Sequence, residues 1–140
     1  MLGLNDVLQF MKSKDTGFSH YYIGKLNNKH DNSLGIYNLR GVSDSYMAIG
    51  GDEPTKCQSK NISLLIHGNK NKVQTETLAT NLYKILKSVR NEKFGKYDIN
   101  FIKMLYGEPI DVDVDVNGVY EYVIEIKIYY TQGDEWVWLK

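Results

Sequence analysis

The sequence predicts an α+β fold: a mainly antiparallel β-sheet with a long helix (about residues 72–90) and a short N-terminal helix packed on one face. Three observations predict it. Residues 119–130 alternate strictly, with Tyr120, Tyr122, Ile124, Ile126, Ile128 and Tyr130 on one side and Glu121, Glu125 and Lys127 on the other, beside Val119, Val123 and Tyr129. Apolar-in, polar-out alternation belongs to antiparallel sheets with one solvated face. Leu78, Leu82, Ile85, Leu86 and Val89 form one helical stripe. Finally, the order helix, strands, helix, strands does not read as a doubly wound parallel sheet. At 140 residues, the chain suits one domain, residues 1–140.

The elements follow in chain order. Residues 4–13 form a short helix that Asn5 or Asp6 can cap, with Val7, Leu8, Phe10 and Met11 as its apolar face. Residues 17–26, with Phe18, Tyr21, Tyr22, Ile23 and Leu26, read as a strand. A polar turn, Asn27 to Ser33, leads to a second strand at 34–40. Turn formers dominate 41–58, and Gly50-Gly51-Asp52-Glu53-Pro54 is the clearest loop. Residues 60–67 alternate as a strand, and His67-Gly68-Asn69 breaks it. Asn71 is placed to cap the long helix, with Gln74 three residues on. Lys84, Lys87 and Arg90 near its end complement the helix dipole. Residues 97–105 are a strand whose Tyr97, Ile99, Phe101 and Leu105 share a face.

Composition excludes several functions. Seventeen basic residues balance seventeen acidic ones, so net charge is zero. That argues against a protein whose main task is wrapping nucleic acid. A single cysteine excludes an internal disulfide framework and a thiolate zinc cluster. The N-terminus has no basic and apolar leader, and no stretch is long and apolar enough to span a membrane. A cytoplasm, or a particle assembled there, is the expected compartment. His20, His30 and His67 lack metalloenzyme spacing, Cys57 lacks a nucleophile signature, and Gly50-Gly51 does not open a phosphate loop. No enzyme activity and no cofactor are expected.

Asp111-Val-Asp113-Val-Asp115-Val-Asn117-Gly118 is the most conspicuous local feature. Read from Asp113 it opens like a calcium loop, but the twelfth position is Ile124, which cannot ligate. The simpler reading is a strand and turn, with Ile110, Val112, Val114 and Val116 on one face and the aspartates on the other. If this strand pairs with 119–130, a two-residue Asn-Gly turn sets Asp115 opposite Tyr120 and Asp113 opposite Tyr122, whereas a three-residue loop of Val116, Asn117 and Gly118, the preferred register, sets Val114 opposite Tyr120 and Val112 opposite Tyr122. The other arrangement is a long loop, with 97–105 pairing directly with 119–130. No metal is expected; divalent binding by Asp111, Asp113 and Asp115 is the alternative. The tail carrying Trp136 and Trp138 either folds back as a last strand or docks on a neighbour. Interface contacts are expected from Asp52, Glu53 and Lys56 and from Trp136 and Trp138.

One block is familiar: the strand Asn61-Ile-Ser-Leu-Leu-Ile66, the break His67-Gly68, and the helix bearing Leu78, Ala79, Leu82, Tyr83 and Leu86. Then come a strand, Gly107-Glu-Pro-Ile110, and Asp115-Val-Asn-Gly-Val-Tyr-Glu-Tyr122 leading into the long strand. This order resembles the minor capsid and tail terminator family of tailed bacteriophages and prophages, mostly over residues 59–130. The resemblance implies a structural virion protein of the tail or neck, assembled in the bacterial host cytoplasm. It implies self-association, as a homo-hexameric ring, and contacts with the tail tube protein and the head–tail connector. Such a ring caps the tube, ends its polymerisation and joins tail to head. No catalytic residues carry over. The implied partners include neither a membrane nor a specific nucleic-acid sequence, although DNA could pass through the ring past an acidic face at Asp111, Asp113 and Asp115. The alternatives are another head–tail joining or completion protein, or a small divalent-cation-binding module.

Overall fold

The computed structural model describes residues 1–27, 29–39 and 57–132. Its elements, in order, are α1 (Leu4–Lys12), β1 (His20–Ile23), β2 (Ser33–Asn38), β3 (Cys57–His67), α2 (Lys72–Lys87), β4 (Arg90–Phe94), β5 (Tyr97–Met104), β6 (Ile110–Val114) and β7 (Tyr120–Gln132). One sheet runs β1-β2-β3-β7-β5-β4, with β6 also paired to β7. No helix among the described residues is long and apolar enough to cross a membrane.

The centre is the antiparallel pair β3–β7, in register from Cys57↔Thr131 to His67↔Glu121. That register puts Ile62, Leu64 and Ile66 beside Ile126, Ile124 and Tyr122. All six are buried. Leu34 and Ile36 of β2 extend the row. Each buried aliphatic contributes about 1.5–3 kcal/mol relative to exposure. Val7, Leu8, Phe10 and Met11 of α1, and Ala79, Leu82 and Leu86 of α2, join the same core.

The expected fold class needs correction. The sheet, expected to be mainly antiparallel, is a mixed sheet of seven strands, because β1 lies parallel to β2. Alternation in a four-residue strand carries no information about direction. The polar turn from Asn27 to Ser33 belongs to a connection that returns the chain to the same end of the sheet. Ser19 N–H donates to Asn32 O at 2.9 Å, and Gly24 N–H donates to Ile36 O at 2.9 Å, closing the two ends of the pair.

Nor is there a long helix over 72–90: α2 has 16 residues and stops at Lys87. Val89 is fully buried, so its apolar period continues past the helix and mimics another turn. The Arg90 guanidinium donates to Lys87 O at 3.1 Å and Val89 O at 2.7 Å, and Asn91 turns the chain with φ 49°. Residues 90–94 then form β4, an element the sequence reading lacked. It meets β5 at Phe94↔Tyr97. Gly95, with φ 61°, takes the first position of that two-residue turn, where a positive φ is required.

Smaller corrections follow from local geometry. Gly3 caps α1, and Asp6 accepts from its amide at 2.9 Å. Asn71 does cap α2, accepting from Gln74 N–H at 3.0 Å. Asn69, rather than Gln74, takes the Asn71 amide, at 2.8 Å. A register shift between Ile99 and Phe101 breaks the expected face of β5. Tyr97, Ile99 and Ile102 are buried, while Phe101 is exposed and stacks on Tyr129 at 4.6 Å.

Helix α1 ties the two edges of the sheet together. Lys12 lies over the Tyr21 ring of β1, and Phe10 packs edge-on against Phe94 of β4 at 5.4 Å. Lys14 pairs with Glu92 on the same edge. A flat sheet of six strands would hold its edges about 24 Å apart, so twist brings them within reach of one short helix. The start of the chain is anchored too. Leu2 N–H donates to the Tyr130 hydroxyl at 3.1 Å, and the Tyr97 hydroxyl donates to Met1 O at 2.6 Å.

Leu82 and Ile126 are fully buried; Leu82→Ala and Ile126→Ala are each expected to lower unfolding free energy by about 2–5 kcal/mol in urea titrations. A Cβ at Gly68 would stand 2.4 Å from Thr75 Cγ2 and Oγ1. Gly68→Ala is therefore expected to destabilise by about 1–3 kcal/mol, by the same measurement, as the corner between β3 and α2 is forced open.

Candidate functional site

Beyond the core face, β3 and β7 build a second, polar arrangement at the end where β3 finishes. His67 and Glu121 are cross-strand partners. Their neighbours Ile66 and Tyr122 occupy the core face, so period-two alternation turns His67 and Glu121 to the face away from it. His67 Nδ1 lies 2.7 Å from Glu121 Oε2, and its side chain is 0% exposed.

The turn between β6 and β7 folds onto this pair. Asp115 N–H donates to Val119 O at 2.9 Å, and Gly118 closes the turn with φ 82°. The three-residue loop and Val114↔Tyr120 pairing are therefore present. Further along, a bulge slips the register, so Asp111 rather than Val112 faces Tyr122. Asp113 absorbs the bulge with φ 71°. Asp113 thus escapes the direct opposition to Glu121 that an unbroken ladder would impose.

The three aspartates do not form one acidic face. Asp111 pairs with Lys72 Nζ at 2.7 Å and also accepts from Asp113 N–H at 2.8 Å. Lys72 and that amide hold its carboxyl below the usual range. Lys72 is pushed up in turn by Asp111 and by the Tyr122 hydroxyl. Asp113 remains exposed. Asp115 turns inward: Oδ1 accepts from Asn117 N–H at 2.8 Å and Val119 N–H at 3.0 Å, while Oδ2 lies 3.8 Å from His67 Nδ1. Burial raises the Asp115 pKa, but the amides of Val119 and Asn117, the nearby His67 and the Gly118 amide together bring it below the ordinary value.

Tyr37 packs over the same face. A Cβ on Gly35 would meet its ring at 2.8 Å, so glycine is required there. Burial raises the Tyr37 pKa; the Leu26 amide offsets part of this, and the Glu121 charge adds to it.

A groove of about 750 Å³ runs between α2 and the β5–β6 connection, lined among others by Lys72, Glu76, Tyr83, Lys87, Tyr106 and Asp111. The Tyr83 hydroxyl donates to Tyr106 O at 2.8 Å across it. Next to the groove, β6 is not the one-face strand expected from its alternation. Val112, Val114 and Val116 are exposed by 42%, 43% and 95%. The expected interface residues Asp52, Glu53, Lys56, Trp136 and Trp138 lie outside the described residues. So does the Gly50–Pro54 loop.

Nothing in the sequence marks His67 and Glu121 as a pair. Local spacing could not join residues 54 positions apart; only their shared register does. Among the described residues, no nucleophilic side chain hydrogen-bonds to His67, so the site lacks a nucleophile–base pair.

A family model described as bacteriophage tail terminator protein matches residues 1–132. The chain belongs to the bacteriophage tail terminator family. The match takes in every described element, from α1 to β7. No curated protein gives a significant match. Tail terminators are structural rather than enzymatic proteins, and membership implies a component of the virion tail.

For this tail terminator, Asp115 sets an acid dependence. Its folded pKa is depressed, so the stabilisation is present above the unfolded value, about 3.9, and is lost as pH falls through the folded value. Urea midpoints of wild type and Asp115→Asn are expected to differ at pH 7, with the variant the less stable, and to draw together as pH falls below the unfolded carboxylate value.

Proposed function

We propose that the protein closes, as six copies, into a ring on the end of the tail tube. The ring ends tube polymerisation and offers its far side to the head–tail connector. Assembly takes place in the host cytoplasm, and DNA passes through the finished ring. The family match across residues 1–132 carries this reading. The surface supports it. A ring larger than a dimer needs two different, complementary patches on each subunit. Val112, Val114 and Val116 give the β6–β7 hairpin an apolar edge, and exposed Val73 and Tyr106 add to the apolar surface of the molecule. The adjoining groove mixes lysines with glutamates, the charge variety that fixes orientation at an interface. The three aspartates do not line the channel as one acidic wall, because Lys72 pairs with Asp111 and Asp115 is turned toward His67.

Mass photometry of the purified chain, alone and with tail tubes, is expected to show a closed oligomer that binds tube ends. In a phage lacking this gene, supplying it should restore tails of uniform length. Val114→Asp and Val116→Asp should weaken the oligomer; for Val116, 95% exposed, fold stability should change by no more than about 0.5 kcal/mol. A chain that stays monomeric and leaves tails overlong would overturn the proposal. Tails of normal length that fail to join heads would instead indicate a head–tail joining role.

A further inference from the structure

We propose that His67, Asp115 and Glu121 form a structural site for a divalent transition metal of the zinc type, clamping the β6–β7 hairpin to the end of β3. One ring nitrogen of His67, one carboxylate oxygen of Asp115 and one of Glu121 all lie within 4.8 Å of one another. From Nδ1 the separations are 2.7 Å to Glu121 and 3.8 Å to Asp115. Donors bound tetrahedrally at about 2.0–2.2 Å stand about 3.4 Å apart, so the observed spacings straddle the required one. Small side-chain movements would suffice.

Two independent observations point to a ligand. Asp115 Oδ2 is buried and has no hydrogen-bond partner, although its sister oxygen holds two backbone amides. A buried carboxylate oxygen left unsatisfied is costly, and a cation removes that cost. The charge count agrees. Among the described residues, His67 Nδ1 lies 2.7 Å from Glu121 and 3.8 Å from Asp115, and no lysine or arginine forms a salt bridge with either carboxylate. Even with an imidazolium the cluster carries about one net negative charge. A divalent ion bound to neutral imidazole and two carboxylates balances it.

The donor set selects the metal class. One imidazole nitrogen and two carboxylate oxygens suit zinc and its first-row neighbours. Calcium and magnesium prefer all-oxygen shells, which His67 breaks. The amides of Asn117 and Val119 hold Asp115 from behind, the outer support that metal-binding carboxylates use. Three protein donors leave the fourth position to water.

The test is calorimetric titration of the full, metal-stripped chain with zinc chloride, and separately with calcium chloride. One zinc ion per chain is expected, with no comparable calcium binding. Glu121→Gln and Asp115→Asn should each weaken zinc binding by more than about tenfold. Two controls should leave it unchanged: Cys57→Ser, and His30→Gln, which removes one ring of the His20–His30 stack. Should the site variants fail to fold, hydrogen exchange decides with wild type alone: zinc must slow exchange of the Asn117 and Val119 amides. Equal binding by calcium, loss of binding only in the two controls, unchanged affinity in the site variants, or unaltered exchange in the turn would each overturn the site.

Discussion

The register of β3 against β7 is the constraint on which the rest of the molecule depends. Side chains alternate with period two, so a slip of one residue exchanges every inward and outward position. In the observed register Ile62, Leu64 and Ile66 meet Ile126, Ile124 and Tyr122 in the core. The same register sets His67 beside Glu121 on the other face. A single slip would expose the aliphatic row and drive the imidazole and carboxylates among the helices. The hydrophobic demand of one face therefore dictates the polar geometry of the other.

The hairpin of β6 and β7 shows how a repeated motif acquires unlike roles. Three aspartates at alternate positions meet three environments. Asp111 is held by a lysine from α2, Asp113 occupies a bulge with positive φ, and Asp115 caps its own turn and points at His67. The bulge causes this divergence, because it breaks the regular alternation that would have kept all three on one side. It also leaves three valines facing outward beside a polar groove.

The helices tie the sheet together. Core residues of α1 and α2 share a single cluster with the sheet, and α1 reaches strands at both of its edges. The N-terminal backbone is pinned by Tyr97 and Tyr130, which pack edge-on at 5.7 Å. Tyrosine abundance thus reflects internal anchoring as much as recognition: each ring fills apolar space while its hydroxyl satisfies a backbone group.

The residues alone determined the strongly periodic elements: α1, the alternating strands β3 and β7, the start of α2 at Asn71, and the turn at Gly118. Each rests on contacts within a few residues, so short-range pattern specifies it. The block from 59 to 130 also carried the family resemblance that the match over residues 1–132 bears out. Tertiary structure alone decided the parallel β1–β2 pair, the stop of α2 before Val89, strand β4 and the bulges in β5 and β6. These depend on which distant surface each segment meets, and local periodicity is silent on that. The cluster of His67, Asp115 and Glu121 is the clearest case. No spacing in the chain connects the three, because what brings them together is a cross-strand register set by the burial of other residues.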